Sequence, residues 1–139
     1  MDQGPLVSEQ IEDGKRFLQR LVEEGVPVTA AAWIKASERP RWYLYIATPL
    51  VTEDGGKRPA YRRINTVFDQ MPQPFWMEPF QTRPIAPSSP LAQALAGPYQ
   101  RYAGRGPRRY DGELLGDLSV EEAYIYPSAA LRDASPNRA

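Results

Sequence analysis

A chain of 139 residues, 42% hydrophobic and 24% charged, has the size and composition of one globular domain and argues against a disordered chain. The absence of histidine and cysteine excludes imidazole and thiol chemistry, disulfides and His/Cys metal sites. Formal net charge is zero, but residues 57–109 carry nine Lys/Arg against two Asp/Glu, while residues 1–56 carry six against nine and residues 110–139 two against six.

The first predicted element is a helix from Ser8 to Glu24. Ile11, Leu18, Leu21 and Val22 recur at helical spacing, Ser8 is placed to cap, and Gly25 with Pro27 stops it. Gly14 weakens its middle by up to about 1 kcal/mol, so Asp13 is an alternative start. Val28–Ala36 and Trp42–Leu50 then read as a β-hairpin around the turn-forming residues 37–41, although Ala30–Ala32 would also suit a short helix. Trp42, Leu44 and Ile46 fall on one face of the second strand, and Tyr43, Tyr45 and Ala47 on the other. Both faces are largely apolar, which predicts a central strand.

Pro59 opens a second helix over Ala60–Met71, with Tyr61, Ile64, Val67, Phe68 and Met71 on its apolar stripe. The proline-bounded segment 72–80 contains Phe75 and Trp76, either a rigid anchor for a partner or a lid on the core. A strand near Phe80–Ile85 belongs at a sheet edge because of Pro84. A short helix Leu91–Leu95, an Arg/Tyr loop Tyr99–Tyr110 and strands near Tyr110–Leu115 and Ala123–Tyr126 complete the domain. Ser119–Glu122 has capping-box spacing and predicts a helical turn between the last two strands. The expected fold is thus α+β: a mainly antiparallel sheet of four or five strands, with two or three helices packed mostly on one face. A single domain is expected over 1–126, with a flexible tail over 127–139.

Few residues are arranged for catalysis. Gly55-Gly56-Lys57 lacks the earlier glycine and the following Ser/Thr of a phosphate loop, and no G-x-S-x-G elbow occurs. Asp111, Glu113, Asp117, Glu121 and Glu122 cluster in sequence, but the three lysines are remote from them. No catalytic residue, metal or cofactor is assigned. The segment Tyr99–Tyr110 holds four arginines, three tyrosines and two glycines in twelve residues. Guanidinium groups bind phosphates and carboxylates bidentately, and tyrosines offer stacking surface.

Arg101, Tyr102, Arg105, Arg108, Arg109 and Tyr110, with Phe75 and Trp76, are therefore the candidate binding residues. The leading expectation is a cytoplasmic binding or adaptor module that contacts another protein or a second copy of itself. The alternative is an RNA- or single-strand-binding protein, extended by Arg62, Arg63 and Arg83, including a histidine-free ribonuclease. A third reading is a small-molecule binder whose pocket is lined by the hairpin tyrosines. No segment approaches the roughly 18 apolar residues of a membrane span, and no secretory signal is visible, so no membrane contact is expected.

Overall fold

The computed structural model describes residues 6, 8–52, 56–72 and 81–132. Among these described residues four α-helices, α1 (Ser8–Glu23), α2 (Arg58–Phe68), α3 (Pro90–Ala96) and α4 (Ser128–Arg132), accompany five strands. The strands are β1 (Ala30–Ala36), β2 (Trp42–Ala47), β3 (Thr82–Ile85), β4 (Arg108–Leu115) and β5 (Leu118–Ile125). They form one sheet in the order β3-β2-β1-β5-β4. Among the described strands only the β2–β3 pair is parallel. The fold is α+β with a mixed, mostly antiparallel sheet. Among the described residues no helix is long and apolar enough to cross a membrane.

The alternation in β2 sorts the core into two layers. Trp42, Leu44 and Ile46 join Ala31 and Trp33 under α1, α2 and Leu131 of α4. Tyr45 and Ala47 join Ala30, Ala32 and Ile34 on the opposite face, which α3 covers through Leu91, Ala92 and Leu95. Helices therefore pack on both faces, with three of them in the first layer. β2 lies inside the sheet and β3, with Pro84 paired to Ile46, is an edge. The short helix considered for Ala30–Ala32 is instead the start of β1, where cross-strand pairing with Ala47, Ile46 and Tyr45 overrides alanine's helix propensity.

The helical turn expected at Ser119–Glu122 does not form. β5 runs unbroken from Leu118 to Ile125, because Val120, Ala123 and Ile125 bury into the second layer and ladder pairing to β1 and β4 takes up the backbone groups. The segment expected to be a loose tail begins with α4, and Leu131 is buried against α1 and the first layer. Residues 133–139 lie outside the described set.

Gly14 sits in the middle of α1, which starts at Ser8, and its lack of a side chain admits a buried polar chain of contacts. The Trp33 Nε1–H donates to the Tyr126 hydroxyl at 2.9 Å, and that hydroxyl donates to the Ile11 carbonyl at 2.7 Å. Burial pushes the Tyr126 phenol well above its ordinary value. This link joins α1 to β1 and to the residue that follows β5.

Candidate functional site

The Arg/Tyr segment is better ordered than a loop. Pro98–Tyr102 forms a 3-10 turn, and Arg108 already belongs to β4, the edge strand. Alternation along β4 sends Arg108 and Tyr110 to the face that carries α3 and Arg109 to the other. This follows from the pairing of Arg108 with Ala123 and of Arg109 with Glu122. The 3-10 turn lies over the α3 face and brings Tyr99 and Tyr102 onto Tyr110. Ring centroids are 5.8 Å apart for Tyr99–Tyr110 and 6.4 Å for Tyr102–Tyr110, both edge-to-face.

The Arg108 guanidinium stacks 3.9 Å from the centre of the Tyr102 ring and 5.4 Å from that of Tyr110. Arg101 lies 5.5 Å from the Tyr102 ring. Each such contact contributes about 0.5–1 kcal/mol at an exposed site, and it also holds the guanidinium in one orientation. Tyr110 itself is buried, at 6% exposure, and its hydroxyl makes no hydrogen bond of ordinary geometry. Desolvation raises its pKa and the adjacent Arg108 charge partly offsets that rise.

Tyr99 Oη donates to Glu113 Oε2 at 2.5 Å. This hydrogen bond, with smaller contributions from desolvation and the carboxylate's charge, pushes the Tyr99 phenol up to about 12. The raised value favours the folded state below the unfolded phenol pKa of about 10, and the contribution is lost as pH rises through about 12. In an NMR titration of tyrosine ring carbons, Tyr99 is expected to ionise near 12 in the native protein and closer to 10 in Glu113→Gln. An unchanged Tyr99 midpoint in the variant would show that the carboxylate is not the cause.

The middle of β4 carries a bulge. Between the pairs Arg109–Glu122 and Glu113–Val120, three residues of β4 face one of β5. Asp111 adopts φ 52°, a left-handed conformation that aspartate tolerates better than most residues. The bulge and the charges along it interrupt the free hydrogen-bonding edge. On the face away from α3, Arg109 joins Lys35, Ser37, Asp111, Glu121 and Glu122 around a polar hollow of about 470 Å³. Ser37 Oγ donates to Glu121 Oε2 at 2.6 Å, and Arg109 lies 3.4 Å from Asp111. Leu114 of the same edge strand is 60% exposed.

The predicted binding residues thus divide. Arg101, Tyr102, Arg108 and Tyr110 form one cluster with Tyr99; Arg105 is exposed in the turn before β4; Arg109 points to the opposite face. Phe75 and Trp76 lie outside the described residues. The proposed extensions do not join this surface. Arg83 is on β3, the opposite sheet edge, four strand spacings or roughly 19 Å away. Arg62 and Arg63 are on α2, and Arg63 donates to the Glu24 carbonyl at 2.8 Å. The basic segment 57–109 is therefore split between separate surfaces.

Two features of the edge escaped the sequence reading, the Tyr99–Glu113 pair and exposed Leu114. The i, i+3 spacing of Tyr99 and Tyr102 and the alternation Arg108-Arg109-Tyr110 were the available signals. Among the described residues no group of three Asp/Glu could hold a metal ion. Comparison of the chain with protein-family profiles, curated proteins and solved structures gave no match.

Proposed function

We propose that the protein is a non-enzymatic binding module whose β4 edge contacts an acidic surface of another protein. The observation that carries this reading is the pre-stacked Arg108 on Tyr102 and Tyr110, flanked by exposed Arg101, Arg105 and Arg109 and by exposed Leu114. Arginine and tyrosine dominate protein-interface energetics because they combine broad contact area with directional hydrogen bonds. A guanidinium already held on an aromatic face loses less conformational entropy on pairing with a carboxylate. The separation of the basic residues onto opposite sheet edges favours this compact contact over a nucleic-acid track, which needs a continuous positive groove.

The triple variant R105A/R108A/R109A provides the test. A photo-cross-linking residue at Leu114 should capture a discrete protein in cells, and capture should fall at least about tenfold in the triple variant, as expected when interface arginines are truncated. A cross-linker at Lys15 on α1 should capture nothing comparable. Retained capture in the triple variant would refute the edge as the contact. Salt-sensitive gel shifts with RNA or single-stranded DNA at about 50 mM salt, abolished in the same variant, would replace the protein partner with nucleic acid.

A further inference from the structure

The α3 face of the sheet is only partly covered. α3 packs over β1 and β4, leaving the β2–β3 side open beside Tyr43 and Tyr45. Two cavities occupy that opening. The first, about 300 Å³, is lined by Ala36, Glu38, Arg39, Tyr43, Arg83 and the pair Tyr45 and Leu118. The second, about 390 Å³, is bounded chiefly by Val51, Ile85, Leu91 and the same Tyr45 and Leu118, with Lys57 and Asp117 adding one charge of each sign. Tyr45 and Leu118 line both, so the two cavities adjoin in that open cleft; the first carries the arginines and the second is chiefly apolar.

Sequence explains the cleft directly. Parallel pairing sets Arg83 beside Tyr45 and Ile85 beside Ala47, with their side chains on the same face. Ala32 lies opposite Tyr45 on β1, and Ala36 ends that strand, so the floor is low where larger side chains would fill it. The Arg83 guanidinium stacks 3.9 Å above the Tyr43 ring. It is half-buried, and among the described residues its one hydrogen bond is a long 3.5 Å contact to the Thr82 carbonyl and no carboxylate lies within ion-pair distance. The Tyr45 hydroxyl likewise has no hydrogen-bond partner among the described residues. Burial raises the Tyr45 phenol above its ordinary value, opposed by the Arg83 and Arg39 charges. The phenol therefore stays protonated and able to donate.

We infer that this cleft binds an amphipathic monocarboxylate, with its carboxylate on Arg83, Arg39 and the Tyr45 hydroxyl, and its apolar body between Leu118, Ile85, Leu91 and Val51. Two arginines against Glu38 leave the first cavity with a net positive charge suited to one anionic head. The second cavity has the size and lining of a small-molecule site. This site is separate from the β4 edge and does not depend on the protein-contact reading.

Sodium octanoate is the probe. Titration into the full chain should shift the backbone amide signals of Tyr45, Arg83, Ile85 and Leu118 saturably, with a Kd at or below about 1 mM. Octylammonium, with the opposite charge, should bind at least about tenfold more weakly. Arg83→Gln should lower octanoate affinity at least about tenfold, the loss of one charge-assisted hydrogen bond, while leaving the weak binding of 1-octanol unchanged. Leu118→Glu should weaken both ligands, and thermal melts confirm that each variant is folded. Shifts centred on the Arg101–Tyr110 edge, equal binding of octylammonium, or an unchanged octanoate affinity in folded Arg83→Gln would each overturn the assignment. R105A/R108A/R109A should bind octanoate normally, so failure of one site is read independently of the other.

Discussion

Gly14→Ala is expected to destabilise the protein by about 2–4 kcal/mol, although the substitution raises intrinsic helix propensity by about 1 kcal/mol. A Cβ at this position would meet Trp33 Nε1 at 2.8 Å and would overlap the Tyr126 hydroxyl outright. Neither group can move cheaply. Trp33 is fully buried beneath α1, and the Tyr126 hydroxyl is held between the indole N–H and the Ile11 carbonyl. Displacing the phenol leaves the buried Trp33 N–H without its partner, at about 1–3 kcal/mol, and removes the second hydrogen bond to the Ile11 carbonyl. The measurement is thermal unfolding followed by near-ultraviolet circular dichroism, with a fall in Tm of roughly 10 °C for a domain of this size.

A double-mutant cycle with Tyr126→Phe isolates the cause. Removing the hydroxyl relieves most of the overlap, so Gly14→Ala should cost far less in the Tyr126→Phe background than alone, with a coupling of about 1–3 kcal/mol. Additive effects would mean that the helix yields elsewhere. A Gly14→Ala protein more stable than the parent would show that the close approach does not govern this position.

The same glycine illustrates what the sequence could and could not convey. Periodicity located α1, α2 and the two faces of β2, because each of these patterns records which residues face an apolar layer, whereas β-propensity and turn composition marked the hairpin and Pro84 placed β3 at an edge. Gly14 read as a weak point of the helix, since propensity is a local quantity and the reason for the glycine is a tyrosine 112 positions later in the chain. Ser119–Glu122 misled for a related reason. Its capping-box spacing is a local signal, whereas its strand conformation is imposed by two neighbouring strands.

The candidate surfaces were legible in composition and not in arrangement. The Arg/Tyr density of residues 99–110 was evident, but the stacking of Arg108 on Tyr102 depends on β4 passing under the 3-10 turn. The excess of positive charge over residues 57–109 suggested one surface, yet the strand order places β3 and β4 at opposite edges. The cleft was readable only conditionally. Tyr43 and Tyr45 shared a face in the sequence pattern, but the parallel pairing that adds Arg83 to them has no short-range signature.

Gly116→Ala should be at least as damaging, and it bears on the cleft. Gly116 adopts φ 66° in the turn between β4 and β5, and a Cβ there would meet Leu91 N at 2.5 Å and the Pro90 carbonyl group closer still. These are backbone atoms at the start of α3, so no side-chain rotation relieves the overlap. Left-handed strain costs an L residue about 1–2 kcal/mol, and displacement of α3 adds about 1–3 kcal/mol of lost packing. Gly112→Ala supplies the comparison, because Gly112 has φ 92° but its nearest non-local atoms are Glu121 Oε2 at 3.9 Å and Ser119 Oγ at 4.0 Å. Gly112→Ala should therefore show the conformational cost alone, and the excess for Gly116→Ala measures the clash with α3 by chemical denaturation. Leu91 and Leu118 both line the chiefly apolar cavity and flank this contact, so a folded Gly116→Ala should also bind octanoate more weakly. Equal destabilisation by the two substitutions would show that the β4–β5 turn does not set the position of α3.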